Sequence, residues 1–273
     1  MIEVVERGAV RELRLARPPA NALSPELMAA LTAALARAAA EASAPAPAAG
    51  ERVAALVLSG SPGMFSAGLD VPYLLTLDRA GIHVMWRNLY GLLRTLAASP
   101  LPVVAAITGH SPAGGAVLAI HCDARVMADG DFRIGLNEVR VGLPLPPVIL
   151  AAMRRLVGPR QAERMSVSGA LVSPAEAARI GLVDEVVPPD QVVERAAAIA
   201  AELAALPREA MAATRRLARA DLVALYDDAG GQGAAADEIE AVLDSWFSVE
   251  AQTTMRGLVE RLARKRAGGA GGG

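Results

Sequence analysis

The chain has 273 residues, 53% of them hydrophobic and only 3% aromatic, with a mean hydropathy of +0.34; that suffices for one large domain, or a core domain with a smaller appendage. A formal net charge of −2 excludes the basic footprint of a nucleic-acid-binding protein, and Cys122, the only cysteine, excludes internal disulfides and multi-cysteine metal sites. Met1–Arg7 lacks the basic and apolar regions of a signal peptide, and no apolar run reaches about eighteen residues, so the expectation is a soluble, cytoplasmic protein without a membrane span.

In chain order, Val10–Leu15 reads as a strand stopped by Pro18-Pro19. Ser24-Pro25-Glu26 opens a helix, with Ser as N-cap, Pro at the first helical position and an acid in the first turn. That helix continues through Ala42 to a Pro-rich surface loop beginning at Ala44. Arg52–Ser59 reads as a second buried strand, closed by Gly60-Ser61-Pro62-Gly63. A helix follows from Asp78 to Ala98, then a strand over Pro102–Ile107, a helix over Pro112–Cys122 and a strand over Ala124–Met127. Pro146–Val157 and Pro159–Ser168 are helical; Ser173-Pro174-Ala175-Glu176 predicts a capping box at a further helix, and Gly181–Val187 another strand. From Gln191 onward the pattern is helical, with amphipathic stretches over Arg215–Leu225 and Asp237–Leu262. Arg264-Lys265-Arg266 suits a helix C-terminus, and Ala267–Gly273 reads as a disordered Gly-rich tail. Strands alternating with helices imply an α/β core, and the helical last third a separate packing unit.

Three segments carry candidate chemistry. Met64-Phe65-Ser66-Ala67-Gly68-Leu69-Asp70-Val71 follows a strand and a Gly/Pro turn; Ile107-Thr108-Gly109-His110-Ser111-Pro112-Ala113-Gly114-Gly115 leads from a strand into a helix. Phe132-Arg133-Ile134-Gly135-Leu136-Asn137-Glu138 places one acid in an apolar neighbourhood. Glycines at such junctions admit close backbone approach, and helix-start amides lack internal acceptors. Two junctions could therefore aim two N–H groups at one carbonyl oxygen. Neither matches a nucleotide-phosphate loop. Asp70 reads as a turn or cap residue, and His83, His110, His121 and the apolar-flanked Cys122 as structural. Trp246 and Phe247 read as packing or interface residues.

Together the three segments resemble the enoyl-CoA hydratase/isomerase (crotonase) superfamily, in its order and spacing. Asn21-Ala22-Leu23, Cys122-Asp123 and Ser173–Ala177 through Gly181-Leu182-Val183 extend the likeness over about Val10 to Leu262. The resemblance implies an α/β crotonase spiral of ββα units with two roughly perpendicular sheets over residues 1–205, and a C-terminal helical oligomerisation region over residues 206–266. It implies an oxyanion hole from the backbone amides of Leu69 and Gly114, and a coenzyme A path along Ser66, Ala67, Gly68, Leu69, Asp70, Val71 and Gly114. Of the two glutamates of the family's hydratases, one position falls on Val117 and the other on Glu138. The shared wording is most like the single-glutamate mitochondrial-type Δ3,Δ2-enoyl-CoA isomerases. The implied reaction converts 3-enoyl-CoA to trans-2-enoyl-CoA with Glu138 moving the proton. No metal or redox cofactor is implied, coenzyme A being part of the acyl-CoA substrate. No nucleic-acid or membrane partner is implied either, and the assembly would be a homotrimer or a dimer of trimers. The alternatives are a hydratase or another crotonase-type lyase, and a non-catalytic acyl-CoA-binding or RNA-binding member.

Overall fold

The structure, a computed structural model, describes residues 1–44, 52–229 and 234–269. A hairpin of β1 (Ile2–Arg7) and β2 (Val10–Leu15) leads to α1 (Pro25–Ser43), whose first turn is capped by Ser24 Oγ accepting from the Leu27 amide. Then come β3 (Ala55–Ser59), β4 (Gly63–Met64), α2 (Val71–Leu74) and α3 (Arg79–Ala98). β5 (Val103–Ile107), β6 (Gly109–Pro112) and α4 (Gly114–Ile120) repeat that order. β7 (Ala124–Ala128), β8 (Ile134–Gly135), a 3-10 helix (Glu138–Val141) and α5 (Pro147–Ser168, broken by non-helical Gly158) repeat it again. The chain closes with α6 (Pro174–Arg179), β9 (Glu185–Val187), α7 (Val192–Ala204), α8 (Arg208–Ala218), α9 (Ala220–Ala229), α10 (Ala234–Trp246) and α11 (Val249–Gly269).

Each ββα repeat gives one strand to each of two sheets, as the crotonase spiral requires. The larger has the order β1-β2-β3-β5-β7-β9 and the smaller β4-β6-β8; every pairing is parallel except the β1–β2 hairpin. The apolar runs of the larger sheet follow from burial on both faces. Val57, Val104, Ala106, Val126 and Ala128 face Val192, Ala196 and Ala200 of α7, which recur at the i, i+4 spacing of one helical stripe. The alternate residues Leu56, Leu58, Val103, Ala105, Ile107 and Met127 join a second core cluster with α1, α3 and α5. Tyr226, Trp246, Ala251 and Met255 of the C-terminal helices belong to that same cluster. No helix is long and apolar enough to cross a membrane among the described residues.

Several elements depart from the sequence expectation. β1 was not expected, and neither were β4, β6 and β8, which are two to four residues long and rich in Gly, Ser and Pro. Their strand character comes from pairing with neighbours rather than from propensity. The predicted capping box is half formed: Ser173 Oγ accepts from the Glu176 amide, but the Glu176 carboxylate is bound by Arg179 instead of reaching back. The expected helices over Arg215–Leu225 and Asp237–Leu262 are each interrupted, at Arg219 and at Phe247-Ser248, where Ser248 Oγ caps the Ala251 amide. α11 runs on to Gly269, so Ala267–Gly269 are helical, contrary to the expected disorder. Residues 270–273, and the Pro-rich segment from Pro45, lie outside the described residues.

Candidate active site

The three chemistry-bearing segments run along and out of the three strands of the smaller sheet. β4 runs into Phe65–Asp70, β6 into Ala113-Gly114-Gly115, and β8 into Leu136-Asn137-Glu138. Because the strands are parallel and ordered β4-β6-β8, their carboxyl ends lie side by side, with the Gly114 turn between the other two. In open α/β sheets this end is where ligands bind. Neighbouring strands stand about 4.8 Å apart. Two main-chain bonds carry the register past the strand ends: Ala113 N–H to Gly135 O (2.8 Å), and Phe65 N–H to His110 O (2.9 Å).

Close approach of Gly68 and Gly114 joins the first two segments. A Cβ on Gly68, which has φ +87°, would stand 2.9 Å from the Gly114 nitrogen, and one on Gly114 would stand 3.0 Å from Gly68 Cα. The two expected donors therefore share one small region, and their peptide planes are held. The Gly68 carbonyl accepts from Leu23 N–H at 2.7 Å, so the trans peptide turns the Leu69 N–H the opposite way. The Ala113 carbonyl accepts from Val117 N–H at 2.9 Å inside α4, which turns the Gly114 N–H out of the helix start. Neither amide has an acceptor among the described residues, whereas those of Ala67, Gly68 and Asp70 all do. Ala113 itself holds φ +47°, ψ −122°, an uncommon conformation for a residue with a side chain and of the strained kind found at functional turns.

Glu138 is the first residue of the 3-10 helix that follows the end of β8. Its Oε2 is enclosed without a hydrogen-bond partner among the described residues, and so is Oδ1 of Asn137 beside it. Burial raises the Glu138 carboxyl from the ordinary 4.5 to about 7, with only a backbone hydrogen bond acting the other way. A carboxyl poised there can both take and return a proton near neutrality. The 3-10 helix is backed by α11: a Cβ on Gly142, at φ +79°, would meet Ala251 Cα at 2.8 Å.

The remaining candidates sort cleanly. Asp70 caps α2 through the Tyr73 amide and pairs with Arg17 at 2.6 Å, so its carboxylate is engaged within the fold. The Ser66 hydroxyl is buried and donates inward to Asn21 O. Ala67, Gly68 and Val71 flank the Leu69 amide along the same loop. Val117 is buried in α4, a helix with no titratable side chain. His110 Nδ1 accepts from the Arg133 amide and its ring packs edge-on against Phe132. His121 is fully buried between Val117 O and Tyr226 Oη, and burial takes it down to about 4, so it is neutral. Cys122 is buried and its thiol is pushed up to about 12. Trp246 is buried at the end of α10, and Phe247 is exposed. No His/Cys/Asp/Glu cluster suited to a metal exists among the described residues. The sequence reading missed the part played by Leu23, whose amide orients the Gly68–Leu69 peptide, and the strained Ala113. The Asn21-Ala22-Leu23 wording was the signal for the first; the second had none, because alanine does not advertise a positive φ.

Comparisons with known proteins identify the family and the fold. The profile of the enoyl-CoA hydratase/isomerase family matches residues 6–263. The mouse mitochondrial enoyl-CoA delta isomerase 1 is 36% identical over 220 residues, covering 80% of this chain and 73% of that protein. A probable enoyl-CoA hydratase of Mycobacterium avium is 36% identical over 203 residues, covering 74% and 75%. The crystal structure of human mitochondrial Δ3-Δ2-enoyl-CoA isomerase superposes with a TM-score of 0.87 at 29% identity, covering 97% of this chain and 98% of that one. With the family profile spanning nearly the whole chain and the fold and strand-end site in place, this chain belongs to the enoyl-CoA hydratase/isomerase (crotonase) family.

Proposed function

We propose that the protein is a Δ3,Δ2-enoyl-CoA isomerase in which Glu138 is the only proton-transfer group. The observation that carries this reading is the enclosed, unpartnered Glu138 carboxyl oxygen, which burial holds well above the ordinary carboxyl range, together with a helix α4 that offers no second acid. The thioester oxygen of a 3-enoyl-CoA accepts from the Leu69 and Gly114 amides. Glu138 removes a C2 proton, the electrons move onto that oxygen, and the resulting dienolate is stabilised by the two donors. The protonated Glu138 then delivers the proton to C4, leaving the double bond between C2 and C3. Hydration of a 2-enoyl-CoA needs a group to activate water and another to manage the α-carbon proton. Val117 stands where a hydratase would carry one of them, and Asp70 is engaged by Arg17.

The acyl-CoA substrate follows from the family, and coenzyme A is part of it rather than a cofactor. Self-association as a trimer or a dimer of trimers follows from the family resemblance alone, and light scattering would report it. The test of function is incubation of one enzyme preparation with 3-hexenoyl-CoA and with crotonyl-CoA. Isomerisation should exceed hydration by at least ~10²-fold, the low end for a missing acid–base group. The similarity to a probable hydratase makes hydration the competing outcome, and comparable hydratase turnover would overturn the isomerase reading.

A further inference from the structure

The Leu69 amide belongs to a loop whose shape is dictated by a segment more than forty residues earlier in sequence. Asn21 is buried at 1% exposure and holds φ +48°, a left-handed conformation that asparagine tolerates better than most residues. Its Nδ2 donates to Phe65 O (3.1 Å) and Met64 O (3.3 Å), and its Oδ1 accepts from the Arg17 amide (2.9 Å). Its own carbonyl accepts from Ser66 Oγ at 2.7 Å. Ser66 Oγ in turn accepts from the Gly68 amide at 3.2 Å, so one hydroxyl joins Asn21 to the peptide just before the Gly68–Leu69 plane. The Ala67 amide bonds to Ala20 O at 2.9 Å, and Leu23 N–H holds Gly68 O at 2.7 Å.

We infer that Ser66 and Asn21 are positioning residues which fix the Leu69 amide against the developing enolate oxygen, an inference that rests on Leu69 being an oxyanion donor. Both are buried at 1% or less, so their side chains act through the Leu69 loop. A preorganised donor stabilises charge only if it need not move when that charge appears. Removing the Ser66 hydroxyl strands the Gly68 amide and the Asn21 carbonyl and frees the plane to tilt. An ångström of misplacement at such a donor is worth up to about 10² in rate. Substrate grip by the rest of the loop backbone would be little changed, so the loss should fall on kcat rather than KM.

The test uses two readouts: isomerisation of 3-hexenoyl-CoA, and exchange of the C2 hydrogens of butyryl-CoA in D2O. In the exchange, Glu138 takes the C2 proton, the electrons rest on the thioester oxygen, and a deuteron from solvent-equilibrated Glu138 returns to C2. Ser66→Ala should lower both rates by ~10- to 10²-fold with KM within about twofold. The inflection near pH 7 should stay in place, because Glu138 is untouched. Asn21→Gly, which keeps the left-handed backbone but drops the side-chain bonds, should act in the same direction, and Ser66→Cys should fall between Ser66→Ala and wild type. Unchanged rates in soluble variants, or a loss confined to KM and melting temperature, would overturn the inference. So would failure of all three variants to fold, which would make the role purely structural. If wild type exchanges butyryl-CoA but does not isomerise 3-hexenoyl-CoA, the isomerase reading fails while the positioning role is still read from exchange. If wild type does neither, the role given to Leu69 falls and this inference with it.

Discussion

At the scale of single residues, the site turns on a carboxyl that is uncomfortable when charged. Burial is the dominant influence on Glu138, and an enclosed oxygen without a partner marks where that cost arises. The base form must be present before catalysis, so kcat/KM should rise with pH through an inflection near 7; a profile flat between pH 5.5 and 8.5 would contradict this. The same shift has a stability sign. A folded-state value raised above the ordinary 4.5 means that the group's contribution is fully present below about pH 4.5 and is lost as pH rises through about 7. Glu138→Gln, which does not titrate, should therefore come close to wild type near pH 5 and be the more stable of the two at pH 8–9, by an amount on the order of 3 kcal/mol. Paired urea melts at the two pH values would show it. The sequence singled this residue out through the family likeness of the Gly-Leu-Asn-Glu wording; its enclosure was not legible, since that depends on what α5 and α11 place around it.

At the scale of elements, the glycines separate positions where a side chain is forbidden from positions where it is merely missing. Gly142 lies against Ala251 at the contact between the 3-10 helix and α11 and has φ +79°. Gly142→Ala should both strain the backbone and push α11 off the turn that carries Glu138. We expect a loss of about 1–3 kcal/mol in stability together with a fall in kcat. Gly91, exposed within α3, would set its Cβ in open space, so Gly91→Ala should stabilise by about 0.5–1 kcal/mol and leave activity alone. Thermal melts and turnover on both variants test the contrast; equal effects would show that the Ala251 contact is not holding the turn. Elements with strong local signals were readable: α1 and α6 from Ser-Pro starts, and β3 and β5 from unbroken apolar runs. β4, β6 and β8 were not, since a Gly-His-Ser-Pro strand exists only because its neighbours pair with it. The breaks at Arg219 and Ser248 were hidden because hydrophobic periodicity continues across them.

At the scale of the molecule, repetition does the positioning. Three ββα turns lay three short parallel strands side by side, and each strand end carries one of the groups proposed for the site: the Leu69 amide, the Gly114 amide, the Glu138 carboxyl. The order of these segments, and the pairing of the Leu69 and Gly114 amides that the family likeness implies, were visible in the sequence; the short strands that bring them together across roughly forty-five residues were not. Within that frame, the proposed mechanism has Glu138 alone move the proton. The direct measurement is turnover of 3-hexenoyl-CoA by Glu138→Gln, with substrate affinity measured on the same preparation. Loss of ~10²–10⁴ in kcat with affinity within a few fold is the predicted result; turnover within a few fold of wild type would contradict it.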